Sequence, residues 1–122
     1  MDTSALMMPV ECGVRVFEEV ERLLGESPDW VTPAAVRTEL DRLSAGGGTE
    51  ATAASVGLDL ADRCRTVETD ASYADDALVD LAERGDCEYV VTNDLPLRDR
   101  LLERGVRVIG LRGRNTLHIQ ER

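Results

Sequence analysis

The chain contains no lysine: all 14 of its basic residues are arginine, set against 24 acidic residues for a formal net charge of -10. Walker-type nucleotide sites, phosphoacceptor receiver domains and dehalogenase-type phosphatases generally place a lysine at the phosphate, so these acidic α/β classes are disfavoured. Aromatic residues are nearly as scarce, with one Trp, two Tyr and one Phe. A stacking platform of the kind used by single-strand binders is not expected, and Phe17 and Trp30 read as core. The three cysteines, Cys12, Cys64 and Cys87, are widely spaced, and His118 is the only histidine. Neither a disulfide framework nor a zinc site fits; reduced, buried thiols in a cytosolic protein are expected. No apolar run approaches the roughly 18 residues that span a bilayer, and the start lacks the basic region and apolar core of a signal peptide. The expectation is a cytoplasmic protein without a membrane partner.

A chain of 122 residues fits one domain and buries roughly two-thirds of its unfolded surface. Its negative charge repels nucleic acid at low salt. Yet an acidic, lysine-free surface is similar to those of proteins from salt-accumulating halophilic archaea. There the Debye length is only about 3 Å at 1 M salt, and net charge says little about partners.

Apolar residues at Val10, Val14, Phe17, Val20 and Leu24 recur with a helical period and predict one helix, closed by Gly25 and Pro28. Trp30-Val31 predicts a short strand, and Thr32-Pro33 an N-cap and first helical residue for a helix ending at Gly46-Gly47-Gly48. A further helix runs from Thr49 to about Arg63, a strand over Thr66 to Glu68, and a helix from Tyr73-Ala74-Asp75-Asp76 to Gly85. Tyr89 to Thr92 reads as a strand, Leu95 to Glu103 as a helix, Val106 to Leu111 as a strand, and Leu117 to Ile119 as a last short strand. Strands separated by helices imply crossovers and a mostly parallel sheet covered on both faces. The functional cleft of such a sheet lies at the carboxyl ends of its strands.

What the chain has in quantity is carboxylate. Asp2, Glu39, Asp76 and Asp94 each sit at a hand-over into a helix or early within one, and Asp94 closes the abrupt break Val90-Val91-Thr92-Asn93-Asp94. Several carboxylates gathered without a cation raise one another's pKa. A hard divalent ion such as Mg²⁺ or Mn²⁺, which takes oxygen ligands and keeps waters, makes such a cluster tolerable.

Asp2-Thr3-Ser4-Ala5-Leu6, Glu39 within Val36-Arg37-Thr38-Glu39-Leu40, Asp76-Ala77-Leu78-Val79 and Val91-Thr92-Asn93-Asp94 together resemble the ordered acidic motifs of PIN-domain nucleases. Met8-Pro9-Val10, Tyr73-Ala74-Asp75-Asp76 and the stretch from Val106 to Arg114 resemble the archaeal branch similar to small-subunit pre-ribosomal RNA endonucleases. The resemblance covers nearly the whole chain, residues 1–122 as one PIN-like domain. It implies a three-layer α/β sandwich, with a mostly parallel central sheet of four to five strands flanked by helices. It also implies Asp2, Glu39, Asp76 and Asp94 as catalytic, metal-binding acids, and Ser4, Thr92 and Asn93 as groups that orient them. Asp75 is the alternative to Asp76, the D-A-L-V register favouring Asp76. The implied activity is Mg²⁺- or Mn²⁺-dependent endoribonuclease cleavage leaving a 5′ phosphate and a 3′ hydroxyl, with ribosomal RNA precursors as a candidate substrate.

The resemblance leaves two other functions in view: a toxin ribonuclease with an antitoxin-like partner, and an RNA-binding module within a larger assembly. A homodimer is a further expected partner state. Arginines gather late in the chain, and Arg112 and Arg114, flanking Gly113 beyond a strand end, are the expected RNA-backbone contacts. In the family the first aspartate follows a central apolar strand, whereas here only Met1 precedes Asp2. A native start about four to six residues upstream is therefore expected.

Overall fold

The periodic segment near the start forms two helices rather than the one predicted. In the computed structural model, which describes all 122 residues, α1 spans Thr3–Cys12 and α2 spans Val16–Leu24. Gly13 separates them, turned to φ 68°, a left-handed conformation that only glycine adopts at little cost. β1 (Val31–Pro33), α3 (Ala34–Ser44), α4 (Gly48–Ala61) and β2 (Arg65–Val67) follow. Then come α5 (Ala74–Glu83), β3 (Tyr89–Val91), α6 (Leu95–Glu103), β4 (Arg107–Arg112) and β5 (Thr116–Gln120). Thr32 does not cap α3 as expected. It lies in β1, and Pro33 occupies the cap position without a side-chain bond.

The five strands form two hydrogen-bonded sheets, not one central sheet of four to five strands. β1 pairs in parallel with β2, while β3 pairs in parallel with β4 and β4 antiparallel with β5. Met1 and Asp2 lie between the two sheets and join them. The Met1 ammonium donates to the Val31 carbonyl at 2.9 Å, and the Asp2 amide donates to the Val91 carbonyl at 3.2 Å. On the β1 side the next donor along the ladder would be Pro33, which has no N–H. The Thr32 hydroxyl donates to the Met1 carbonyl instead, at 2.9 Å.

Two residues fill only the carboxyl end of the space between β1 and β3. The rest is a cavity of about 380 Å³, lined mainly by apolar side chains including Leu24, Trp30, Leu78 and Leu81. A parallel strand turns the N–H and C=O of one residue toward the same neighbour. The Val31 and Val91 carbonyls both face the Met1–Asp2 step, so the amides of these residues face the cavity from opposite sides.

The helices cover the sheets by local complementarity. α2 packs against β5, α6 against β4, and α5 against β1 and β3. α4 is rich in small residues and buries Ala53, Ala54, Gly57 and Ala61, which lets it press closely on α1 and α3. At Gly57 a Cβ would meet the Leu6 carbonyl oxygen and a Leu40 methyl at 3.1 Å each. Leu6, Met8, Leu40, Leu97, Leu101 and Ile109 are among the fully buried side chains of the core. No helix is long and apolar enough to cross a membrane.

Gly57→Val should destabilise the fold by about 1–3 kcal/mol through overpacking, read as a lower urea midpoint. Four apolar residues grafted onto the nitrogen of Met1 should enter the cavity as a strand and raise the melting temperature by about 4–8 °C per kcal/mol gained. A Gly-Ser graft of the same length should leave it unchanged.

Candidate active site

Asp2 is 3% exposed and is held from three directions. Its Oδ1 accepts the Ala5 amide at 2.8 Å, capping α1. The Ser4 hydroxyl stands 3.0 Å from both carboxylate oxygens, and the Thr92 hydroxyl donates to Oδ2. Ser4 Oγ in turn accepts the Asn93 amide at 2.8 Å, and Thr92 Oγ1 accepts the Asp94 amide at 3.0 Å. The break after β3 is thereby tied to the start of α1. Ser4 and Thr92 both hydrogen-bond the Asp2 carboxylate, whereas Asn93 takes part through its backbone N–H. Burial pushes the Asp2 carboxyl up to about 6, against the opposing pull of Thr92, the Ala5 amide, the Met1 ammonium and Ser4. The Thr92 loop also leans on β4: a Cβ at Gly110 would lie 3.0 Å from the Thr92 carbonyl oxygen.

Asp94 is half-buried and caps α6, its Oδ1 accepting the Leu97 amide at 3.0 Å. The cap fixes one oxygen and leaves Oδ2 without a protein donor. Glu39, on α3, is half-buried, and its Oε2 is 4.0 Å from the Arg42 guanidinium.

Asp75 and Asp76 stand side by side in the first turn of α5 and meet different surroundings. Asp76 accepts a hydrogen bond from the Arg100 guanidinium at 3.0 Å. At Asp75 partial desolvation raises the pKa first, the charges of Asp94 and Glu39 raise it further, and Arg100 only partly offsets them. Consecutive helical residues point about 100° apart, so the two carboxylates leave α5 in different directions.

Asp2 is therefore linked to the Asp94 backbone through Thr92, and Asp75 lies within electrostatic reach of both Glu39 and Asp94. No three of them approach closely enough to enclose an ion as they stand. The donor set is nonetheless all oxygen, and Asp75 carries mutual repulsion that a cation would relieve. Such a set fits a hard ion that retains bridging waters. Arg98, Arg100 and Arg104 are ion-paired, and Arg107 lies over the Tyr89 ring. Arg112 and Arg114 are exposed around the turn between β4 and β5 and make no ion pair within 4.0 Å. Because β3 and β4 run parallel, this turn lies at the same sheet end as Thr92 to Asp94. His118 bonds Gln120 at 2.7 Å and stands outside the acidic group.

Three comparisons with known proteins bear on this arrangement. A family model described as a PIN like domain matches residues 1–114. Ribonuclease VapC4 of Methanocaldococcus jannaschii is 27% identical over 121 residues, covering 97% of this chain and 92% of that protein. The solved structure of the PIN domain endonuclease Utp24 superposes with a TM-score of 0.79 at 22% identity, over 99% of this chain and 89% of that one. At that identity the likeness is one of fold.

The folded state keeps a proton on Asp2 between the ordinary carboxyl value of 3.8 and about 6, where the unfolded chain has lost it. Stability should fall as pH rises through this window. Asp2→Asn should therefore stabilise the metal-free protein by about 1–3 kcal/mol at pH 8, given 1.36 kcal/mol per pKa unit, with no gain at pH 4. Urea titrations in EDTA at both pH values measure the difference.

Proposed function

The chain belongs to the PIN-like domain family, and from that premise we propose that it is a divalent-metal-dependent endoribonuclease. The observation that carries the reading is buried Asp2 wired to the Asp94 backbone through Thr92, with Asp75 within electrostatic reach of Asp94 and Glu39. The likeness to a ribonuclease over nearly its whole length supports RNA as the substrate. The shared fold with a PIN endonuclease supports cleavage within a strand.

In this reading Asp2, Asp75 and Asp94 hold a Mg²⁺ or Mn²⁺ ion, with Glu39 contributing directly or through water. When bound, such an ion supplies Lewis acidity and a water that ionises near neutral pH for hydrolysis of a phosphodiester. Ser4 and Thr92 fix the Asp2 carboxylate, so little reorganisation is needed to present it. The α6 cap does the same for Asp94. Arg112 and Arg114, free of acidic partners, take the RNA backbone, where guanidinium and phosphate match in a bidentate geometry. Short-range contacts of this kind survive the molar salt that the acidic, lysine-free surface suits. A structured ribosomal RNA precursor is the substrate to try first. An antitoxin-like protein partner is the second reading, favoured by the match to Ribonuclease VapC4; inhibition by a co-purifying protein would show it.

Labelled precursor RNA incubated in molar KCl with Mn²⁺ should be cut by the wild-type protein and not by Asp94→Ala. Asp75→Asn should lose activity by more than the 10- to 100-fold typical of groups that only orient a ligand. Asp76→Asn should retain activity within about that lower range. Metal binding without cutting would leave an RNA-binding module, and absence of metal binding would remove the carboxylate site altogether.

A further inference from the structure

Tyr73 and Leu95 are the large hydrophobic side chains that the fold leaves exposed, at 76% and 57%. Leaving such a side chain in water forgoes about 1.5–3 kcal/mol of burial. Both flank the carboxylates. Tyr73 precedes α5 two residues before Asp75, and Leu95 opens α6 directly after Asp94. The starts of these helices converge: α5 packs on α6, Arg100 of α6 bonds Asp76 of α5, and Asp94 lies within electrostatic reach of Asp75. The Tyr73 ring takes no part in the aromatic pair or the cation–π contacts of the protein. A chain with almost no aromatics thus exposes one where its acids meet.

Resting on the nuclease reading, we propose that Tyr73 and Leu95 form an apolar platform that stacks unpaired nucleobases beside the scissile phosphate of single-stranded RNA. A base face on an aromatic ring contributes about 1–3 kcal/mol with little dependence on base identity. That contribution needs no net positive charge, which a chain at -10 lacks, and short-range stacking is not lost to salt screening. Bases in a duplex are already stacked and paired, so the platform selects single-stranded segments. The composition led to no expectation of stacking; the placement of one ring supplies it.

The test is fluorescence anisotropy of a labelled single-stranded oligoribonucleotide and its duplex, in molar KCl without Mn²⁺, with cleavage scored separately in Mn²⁺. Tyr73→Ala should weaken single-strand binding by about 5- to 150-fold, the equivalent of 1–3 kcal/mol. Tyr73→Phe should bind within about twofold of wild type, and duplex binding should not respond to either change. An abasic oligonucleotide should bind wild type and Tyr73→Ala alike. Unchanged single-strand affinity in Tyr73→Ala, with an unchanged melting temperature confirming the fold, overturns the platform. So does a wild-type protein that fails to bind the single strand. Binding that depends on Tyr73 without cutting in Mn²⁺ removes the nuclease reading and leaves the platform standing.

Discussion

The seating of Met1 and Asp2 between the two sheets is the constraint on which the rest depends. The Met1 nitrogen reaches β1, the Asp2 amide reaches β3, and the Asp2 side chain caps α1. One dipeptide therefore joins the sheets, starts the first helix and places a carboxylate at the carboxyl end of β3. Burying that carboxylate is unfavourable, as its raised pKa shows, and Ser4, Thr92 and the Ala5 amide offset part of the cost. Thr92 and Ser4 then pass the constraint on to the backbone of Asn93 and Asp94. Few other arrangements would satisfy so many donors with one buried acid.

The remaining acids follow a different logic. Asp94 is fixed by the helix it caps, while Glu39 and Asp75 project from the helices α3 and α5, which pack against each other. The Arg100 guanidinium offsets part of the repulsion on Asp75 and is itself paired with Asp76. Nine of the 14 arginines are spent in such pairs on an acidic surface, and Arg112 and Arg114 are among the five that are not. Carboxylates and unpaired guanidinium groups thus lie at the same sheet end, the placement on which the proposed nuclease reading draws.

Much of this was legible beforehand where the signal is local. The break Val91-Thr92-Asn93-Asp94 announced a strand end followed by a capped helix, and the structure has β3, the Asp94 cap and α6 in that order. Gly25 and Gly85 ended helices as expected, Gly25 in the left-handed conformation that favours glycine. The apolar period of the first segment runs on through Gly13 although the helix does not: hydrophobic spacing marks which residues are buried, not whether the backbone between them is continuous. Thr32 looked like a cap but serves the ladder, because its hydroxyl replaces the amide that Pro33 lacks.

The sequence by itself determined the type and order of most elements, the absence of lysine chemistry, and the wealth of carboxylates at helix starts, since each depends on residues close together in the chain. The tertiary structure decided that the strands divide into two sheets, that Asp76 pairs with Arg100, that Arg112 and Arg114 go unpaired, and that Tyr73 stands exposed beside α5. These are matters of helix rotation and long-range packing. Neighbouring residues on α5 point about 100° apart, and only the elements packed against that helix fix what each one meets.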